Sequence, residues 1–120
     1  MRKIIFIFGL LISYSLTVQA GGSSENLYNE CHKLEKSPSD KKALMSDVYC
    51  ASYIDGVVDG YRITTDLYPQ GKFICLPNAG MTNDAVIEVF SKWFQNNPKE
   101  KNTPARSGVL LALKDAFPCK

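Results

Sequence analysis

The stretch Cys50-Ala51-Ser52-Tyr53-Ile54-Asp55-Gly56-Val57-Val58-Asp59-Gly60-Tyr61 decides the fold. Cys50, Ile54, Val57, Val58 and Tyr61 recur at helical spacing, so one side of an α-helix is apolar and faces a core. Gly56 and Gly60 are four apart and share a face. Each costs about 1 kcal/mol relative to alanine inside a helix. Two such costs in one helix predict that another backbone packs closely there. The helix also opens on a cysteine, which needs a partner. It can run from about Ala43 to Leu67, where Pro69-Gln70-Gly71 stops it.

Toward the amino terminus the chain begins Met1-Arg2-Lys3, runs apolar from Ile4 to Ile12, and ends in small residues up to Ala20. A basic start, a short apolar run and a small-residue exit describe a secretory signal peptide over 1–20, cleaved near Ala20. The run falls short of the 20 or so apolar residues that span a bilayer. One domain, 21–120, is the expected mature protein, with no membrane attachment after cleavage. Without Arg2 and Lys3, its twelve basic residues balance twelve acidic ones. No basic surplus remains for nucleic acid.

All four cysteines, Cys31, Cys50, Cys75 and Cys119, lie in that domain. An even count in a small exported domain implies two disulfides, and three pairings are open. No two cysteines have the close spacing of a zinc or thiol-redox pair, so no metal and no cofactor are expected.

Four further segments complete the organisation. Gly21-Gly22-Ser23-Ser24 reads as a flexible start ending in a helix cap, followed by a short helix with Leu27, Tyr28, Cys31 and Leu34 on one side. Ser37-Pro38-Ser39-Asp40 resembles a second start, with a serine cap and proline at the first helical position. A third helix opens at Thr82, with Met81 placed to staple onto Val86 and a stripe of Val86, Val89, Phe90, Trp93 and Phe94. Thr103-Pro104 starts a fourth, with Val109, Leu110, Leu113, Ala116 and Phe117 inward. Between the last two helices, Asn96-Asn97-Pro98-Lys99-Glu100-Lys101-Asn102 is polar and must be exposed. Antiparallel packing of consecutive helices would bring Cys31 to Cys50. Cys75 and Cys119 then remain as the second pair. In the chain-entropy model the two closures contribute about 3 and about 4 kcal/mol. Phe73-Ile74-Cys75-Leu76-Pro77 is extended but too short for a sheet, and no period-two pattern occurs elsewhere. The expected fold is all-α, a compact bundle of four to five helices clamped by two disulfides.

No catalytic set accompanies this frame. The single histidine, His32, adjoins Cys31, but helix neighbours point in different directions and a disulfide consumes the thiol. Asp55 and Asp59 are four apart on the long helix, a spacing that solvated faces also show. There is no phosphate loop or nucleophile elbow. A rigid, disulfide-clamped scaffold that presents polar loops is suited to binding. The residues Asn96, Asn97, Lys99, Glu100, Lys101 and Asn102 are the candidate contact, because two helices fix their shape in advance and cut the ordering cost of association.

Three blocks carry a resemblance. They are Cys50 to Gly60 with its tyrosine-isoleucine-x-glycine core, Phe73-Ile74-Cys75-Leu76-Pro77 leading through Met81-Thr82 to Asn97-Pro98, and Val109 to Cys119. Together they resemble the Rap/Tai family of bacterial periplasmic immunity proteins, over about 45 to 119 with a weaker match at Cys31. The sequence departs from the usual block at Asn78-Ala79-Gly80-Met81. The resemblance implies a small helical domain with two disulfides, often a homodimer. It also implies a partner, a cysteine-peptidase-like cell-wall amidase delivered by type VI secretion. An inter-helix loop would fill the cleft of that enzyme, and Asn96 to Asn102 stands at the matching position. The alternative from another class is a periplasmic adaptor or chaperone-like module with no toxin partner.

Overall fold

A computed structural model describes residues 22–120, so the expected signal peptide over 1–20 lies outside the described residues. Five α-helices follow in order: α1 Ser24–Cys31, α2 Lys33–Lys36, α3 Lys41–Leu67, α4 Asn83–Asn96 and α5 Ala105–Ala116. Among the described residues there is no strand, only two isolated antiparallel bridges, Ser23 to Pro104 and Ile74 to Pro118. The fold is the expected all-α bundle.

The helices pack because each buries one stripe. Cys50, Ile54 and Val58 of α3 are buried, as are Val86, Phe90 and Trp93 of α4 and Val109 and Leu113 of α5. Leu27 of α1 lies at 0% exposure, since α1 is wedged against α3, α4 and α5 at once. Gly108 of α5 is buried for a specific reason. A Cβ there would stand 2.1 Å from Ser24 Oγ and 3.3 Å from Phe90 Cε2, so only glycine lets α1 and α5 approach this closely.

Both disulfides form as expected, Cys31–Cys50 and Cys75–Cys119. The first is buried in the core between α1 and α3. The second ties the extended segment after α3 to the end of α5, beside the backbone bonds from Cys75 N–H to Phe117 O at 2.8 Å and from Cys119 N–H to Phe73 O at 3.4 Å. Tyr61 of α3 holds the same segment from the other side. Its Oη accepts from the N–H groups of Phe73 (3.0 Å) and Ile74 (2.8 Å).

Four local expectations are corrected. The start of the domain is not loose: Ser23 caps α1 by accepting from Asn26 N–H, and Ser24 is buried within the helix. Gly22 O accepts from Ala105 N–H at 3.0 Å, which fixes the start against α5. Ser37 ends α2 instead of opening α3; Asp40 is the cap, with its Oδ1 accepting from Lys42 N–H at 3.0 Å. A carboxylate suits the positive end of a helix better than a hydroxyl does. Thr103 does not cap α5, because its hydroxyl donates to Glu100 Oε2 at 2.6 Å. Finally, among the described residues no atom outside the helix lies within 4 Å of a Cβ built at Gly56 or Gly60. The close approach predicted from those glycines is not made among the described residues.

Candidate functional site

The polar loop between α4 and α5 is short and heavily tied. Asn96 is the last residue of α4, and Pro98–Glu100 forms a single 3-10 turn. Proline at the head of that turn pre-sets its backbone. Asn97 turns inward, its Nδ2 donating to Trp93 O at 2.7 Å. Glu100 N–H donates to Asn97 O at 2.9 Å, and Thr103 N–H to Glu100 O at 3.0 Å. The far side is held by α1, where Ser24 N–H donates to Thr103 O at 2.8 Å and Glu25 N–H to Lys101 O at 3.1 Å. These two N–H groups belong to the first turn of α1, which has no partners for them inside the helix. The loop therefore satisfies α1 while α1 shapes the loop.

Of the six candidate contact residues, Asn96, Lys99, Lys101 and Asn102 are exposed, and Asn97 and Glu100 are half-buried. The structure thus divides the set. Asn97 and Glu100 brace the loop from within; the other four form its outer surface, two amides and two ammonium groups. Such a surface offers hydrogen-bond donors on a preformed backbone and suits an acidic or carbonyl-lined cleft.

A second arrangement joins residues 59 positions apart. His32 stands between Glu35 and Ser91, its Nδ1 3.0 Å from Glu35 Oε2 and its Nε2 2.9 Å from Ser91 Oγ. The order serine, imidazole, carboxylate is that of an acyl-transfer triad. The surroundings are not. Ser91 lies inside α4, where the neighbouring N–H groups are engaged in helical bonds, so no pair of donors is free to hold an oxyanion. Glu35 is 72% exposed. The trio links the α1–α2 corner to α4, and Cys31 is engaged in its disulfide. Among the described residues no group of three or more histidine, cysteine, aspartate or glutamate side chains could hold a metal ion. Asp55 and Asp59 are exposed on α3 with no hydrogen-bonded partner side chain between them.

The third feature was missed from the sequence. The outer side of α3 carries Met45 and Leu67, 68% and 69% exposed, together with Leu44, Val48, Tyr49 and Ile63. Beside it, between α3 and α5, runs an apolar groove of about 810 Å³ lined by Tyr53, Val57, Gly60, Thr64, Phe73 and Leu110, with Arg106 at its edge. Burial raises the pKa of the Tyr53 phenol, and neighbouring Tyr49 adds to the effect. The signal was present as apolar residues on the side of the helix opposite Cys50 and Ile54.

This geometry defines a class: a small helical domain, clamped by two disulfides, with a braced polar loop at one end and an apolar helix face exposed among the described residues. Residues 23–119 match the family model of Rap1a immunity proteins, and the chain belongs to that family. Neither the curated proteins nor the solved structures contain a match to it. Among the described residues no helix is long and apolar enough to cross a membrane.

Proposed function

We propose that the chain is a periplasmic immunity protein that neutralises a peptidoglycan amidase effector of a type VI secretion system by occupying its cleft. Membership of an immunity-protein family carries the reading. The two disulfides support an oxidising compartment, and the sequence of 1–20 supports export by a cleaved signal peptide, leaving 21–120 as the mature domain. The protein itself performs no hydrolysis in this reading; it works by binding, as a homodimer.

The contact surface is the loop Asn96 to Asn102. Asn96 and Asn102 present carboxamides, which carry the same donor and acceptor as a peptide group and can enter a site built for peptide crosslinks. Lys99 and Lys101 supply charge attraction, which speeds encounter more than it deepens affinity. Asn97 and Glu100 hold the shape. Because the loop is tied at both ends before binding, little ordering entropy is lost on docking.

The test is capture with the purified, oxidised protein from extracts of its own species and of competitors, read by mass spectrometry. The expected result is recovery of a cell-wall amidase whose activity on peptidoglycan falls when the protein is added. Recovery of envelope proteins with no hydrolase would overturn the reading, and so would hydrolysis of peptidoglycan by the protein alone.

A further inference from the structure

We propose that the groove between α3 and α5 binds a long-chain monocarboxylate, with the carboxylate on Arg106 and the alkyl chain running along α3 toward Thr64. This goes beyond the immunity reading and does not depend on it. The groove is concave and encloses about 810 Å³, within the range of small-molecule sites, which are likewise walled by apolar and aromatic groups with a few placed polar ones. Val57, Tyr61, Phe73 and Leu110 line it, and the rings of Tyr61 and Phe73 meet edge to face with centroids 5.2 Å apart. Gly56 and Gly60 lie along it, and the space beside both is open, since a Cβ at either meets nothing within 4 Å among the described residues.

Charge selects an anion. Among the described residues Arg106 is the one charged residue that lines the groove, and no carboxylate pairs with it. It stands in the first turn of α5, which has no acidic residue and no side-chain cap. A cation at the positive end of a helix is repelled by the helix dipole, and an anion placed there is attracted by both. Tyr53 lies at the same end of the groove, close enough for the charge and the backbone of Arg106 to act on its phenol. A planar guanidinium with a phenolic hydroxyl beside it matches a carboxylate, which accepts two parallel N–H bonds and keeps acceptor capacity for a third donor.

The rest of the groove selects an alkyl chain. Its other hydroxyls near α3 have already spent their hydrogens: Tyr61 Oη donates to Ile74 O at 3.2 Å, Thr64 Oγ1 to Gly60 O at 2.8 Å and Thr65 Oγ1 to Arg62 O at 3.0 Å. An extended peptide laid over these positions would bring carbonyls that find no donor there, at a desolvation cost. A methylene chain asks for none. Tyr53 and Thr64 are eleven positions apart on α3, which is about 17 Å at 1.5 Å per residue. An extended chain gains about 1.2 Å per bond, on the scale of the peptide's roughly 3.6 Å per three bonds. A chain of about fourteen carbons therefore spans the groove.

The experiment is calorimetric titration of the oxidised protein with tetradecanoate and, as the probe of opposite charge, tetradecylammonium, both kept below the concentration at which they aggregate. The unsubstituted protein is expected to bind tetradecanoate saturably with a Kd of about 10 μM or tighter, and tetradecylammonium at least about tenfold more weakly. Gly60→Leu is expected to lose tetradecanoate binding at least about tenfold by filling the groove, with its helical circular dichroism intact because a Cβ at 60 meets nothing within 4 Å. Arg106→Glu, an exchange at an exposed position, is expected to reverse the preference and favour the ammonium. No saturable binding of tetradecanoate would overturn the inference. So would binding that Gly60→Leu leaves unchanged, or a preference for the carboxylate that survives Arg106→Glu. Loss of amidase inhibition in Gly60→Leu, with no tetradecanoate bound by the unsubstituted protein, would also overturn it and give the groove to a protein partner.

Discussion

The loop at 96–102 and the outer side of α3 are both exposed, and they are built in opposite ways. The loop is polar; the Asn97 side chain ties it to Trp93 O of α4, and its main-chain carbonyls accept from Ser24 and Glu25 N–H of α1. The α3 face is apolar, lies on a continuous helix and is left exposed by the described residues. Polar groups that stay hydrated until they are captured suit a partner met occasionally, with specificity set by individual hydrogen bonds. The braced polar loop and the apolar helix face thus lie on separate elements of one small domain.

The largest effect on this division should come from the frame beneath both surfaces. Cys75→Ser with Cys119→Ser opens the closure that holds the end of α5 to the segment after α3, and should cost about 4 kcal/mol by loop entropy. Thermal unfolding should shift down by more than 10 °C on the scaling for a domain of about 100 residues. An unchanged melting temperature would contradict the role given to this bond.

Two glycine substitutions sharpen the contrast between covered and uncovered faces. Gly108→Ala drives a methyl group into Ser24 and Phe90 and should cost about 1–3 kcal/mol. Adding Ser24→Ala should recover part of that loss, since it removes the 2.1 Å collision together with a buried hydroxyl that has no hydrogen-bond partner. Gly60→Ala on α3 meets nothing and should raise the stability of the single chain by up to about 1 kcal/mol. Chemical denaturation at low protein concentration reads all three. Equal losses at positions 60 and 108 would mean that the α3 face is packed within the chain after all.

The smallest effect is on the loop brace alone. Thr103→Val removes the hydrogen bond to Glu100 and should cost about 1 kcal/mol of stability. It should also weaken inhibition of the amidase about fivefold by loosening the loop without altering its exposed side chains. Stability lost with inhibition unchanged would show that the brace does not shape the contact.

The helices and both disulfides were legible in the sequence because the signal repeats. Leu27 and Cys31, Cys50 to Val58, Val86 to Trp93 and Val109 to Leu113 each mark a buried stripe several times over. Single-residue features were less legible. Ser37 and Asp40 are both good caps, and the choice between them depends on where α2 ends. Ser23 prevails over Ser24 because Ser24 is needed against Gly108 and Thr103, residues far along the chain. The candidate loop was visible as a polar run, but its inward members, Asn97 and Glu100, look like its outward ones in sequence. The His32–Ser91 contact spans 59 positions and leaves no local trace. Gly56 and Gly60 carry the helix cost read from the sequence, but the close approach inferred from it is not found among the described residues, because spacing alone does not separate a packed glycine from one on an open face.

The most direct test of the central claim is an inhibition titration of the captured amidase with the intact protein and with a variant carrying a glycine-serine linker in place of Asn96 to Asn102. The account predicts stoichiometric inhibition by the intact protein and a loss of at least about 100-fold for the variant, with the helical signal retained in both. Full-strength inhibition by the linker variant would contradict the assignment of the loop and move the contact to the helix faces.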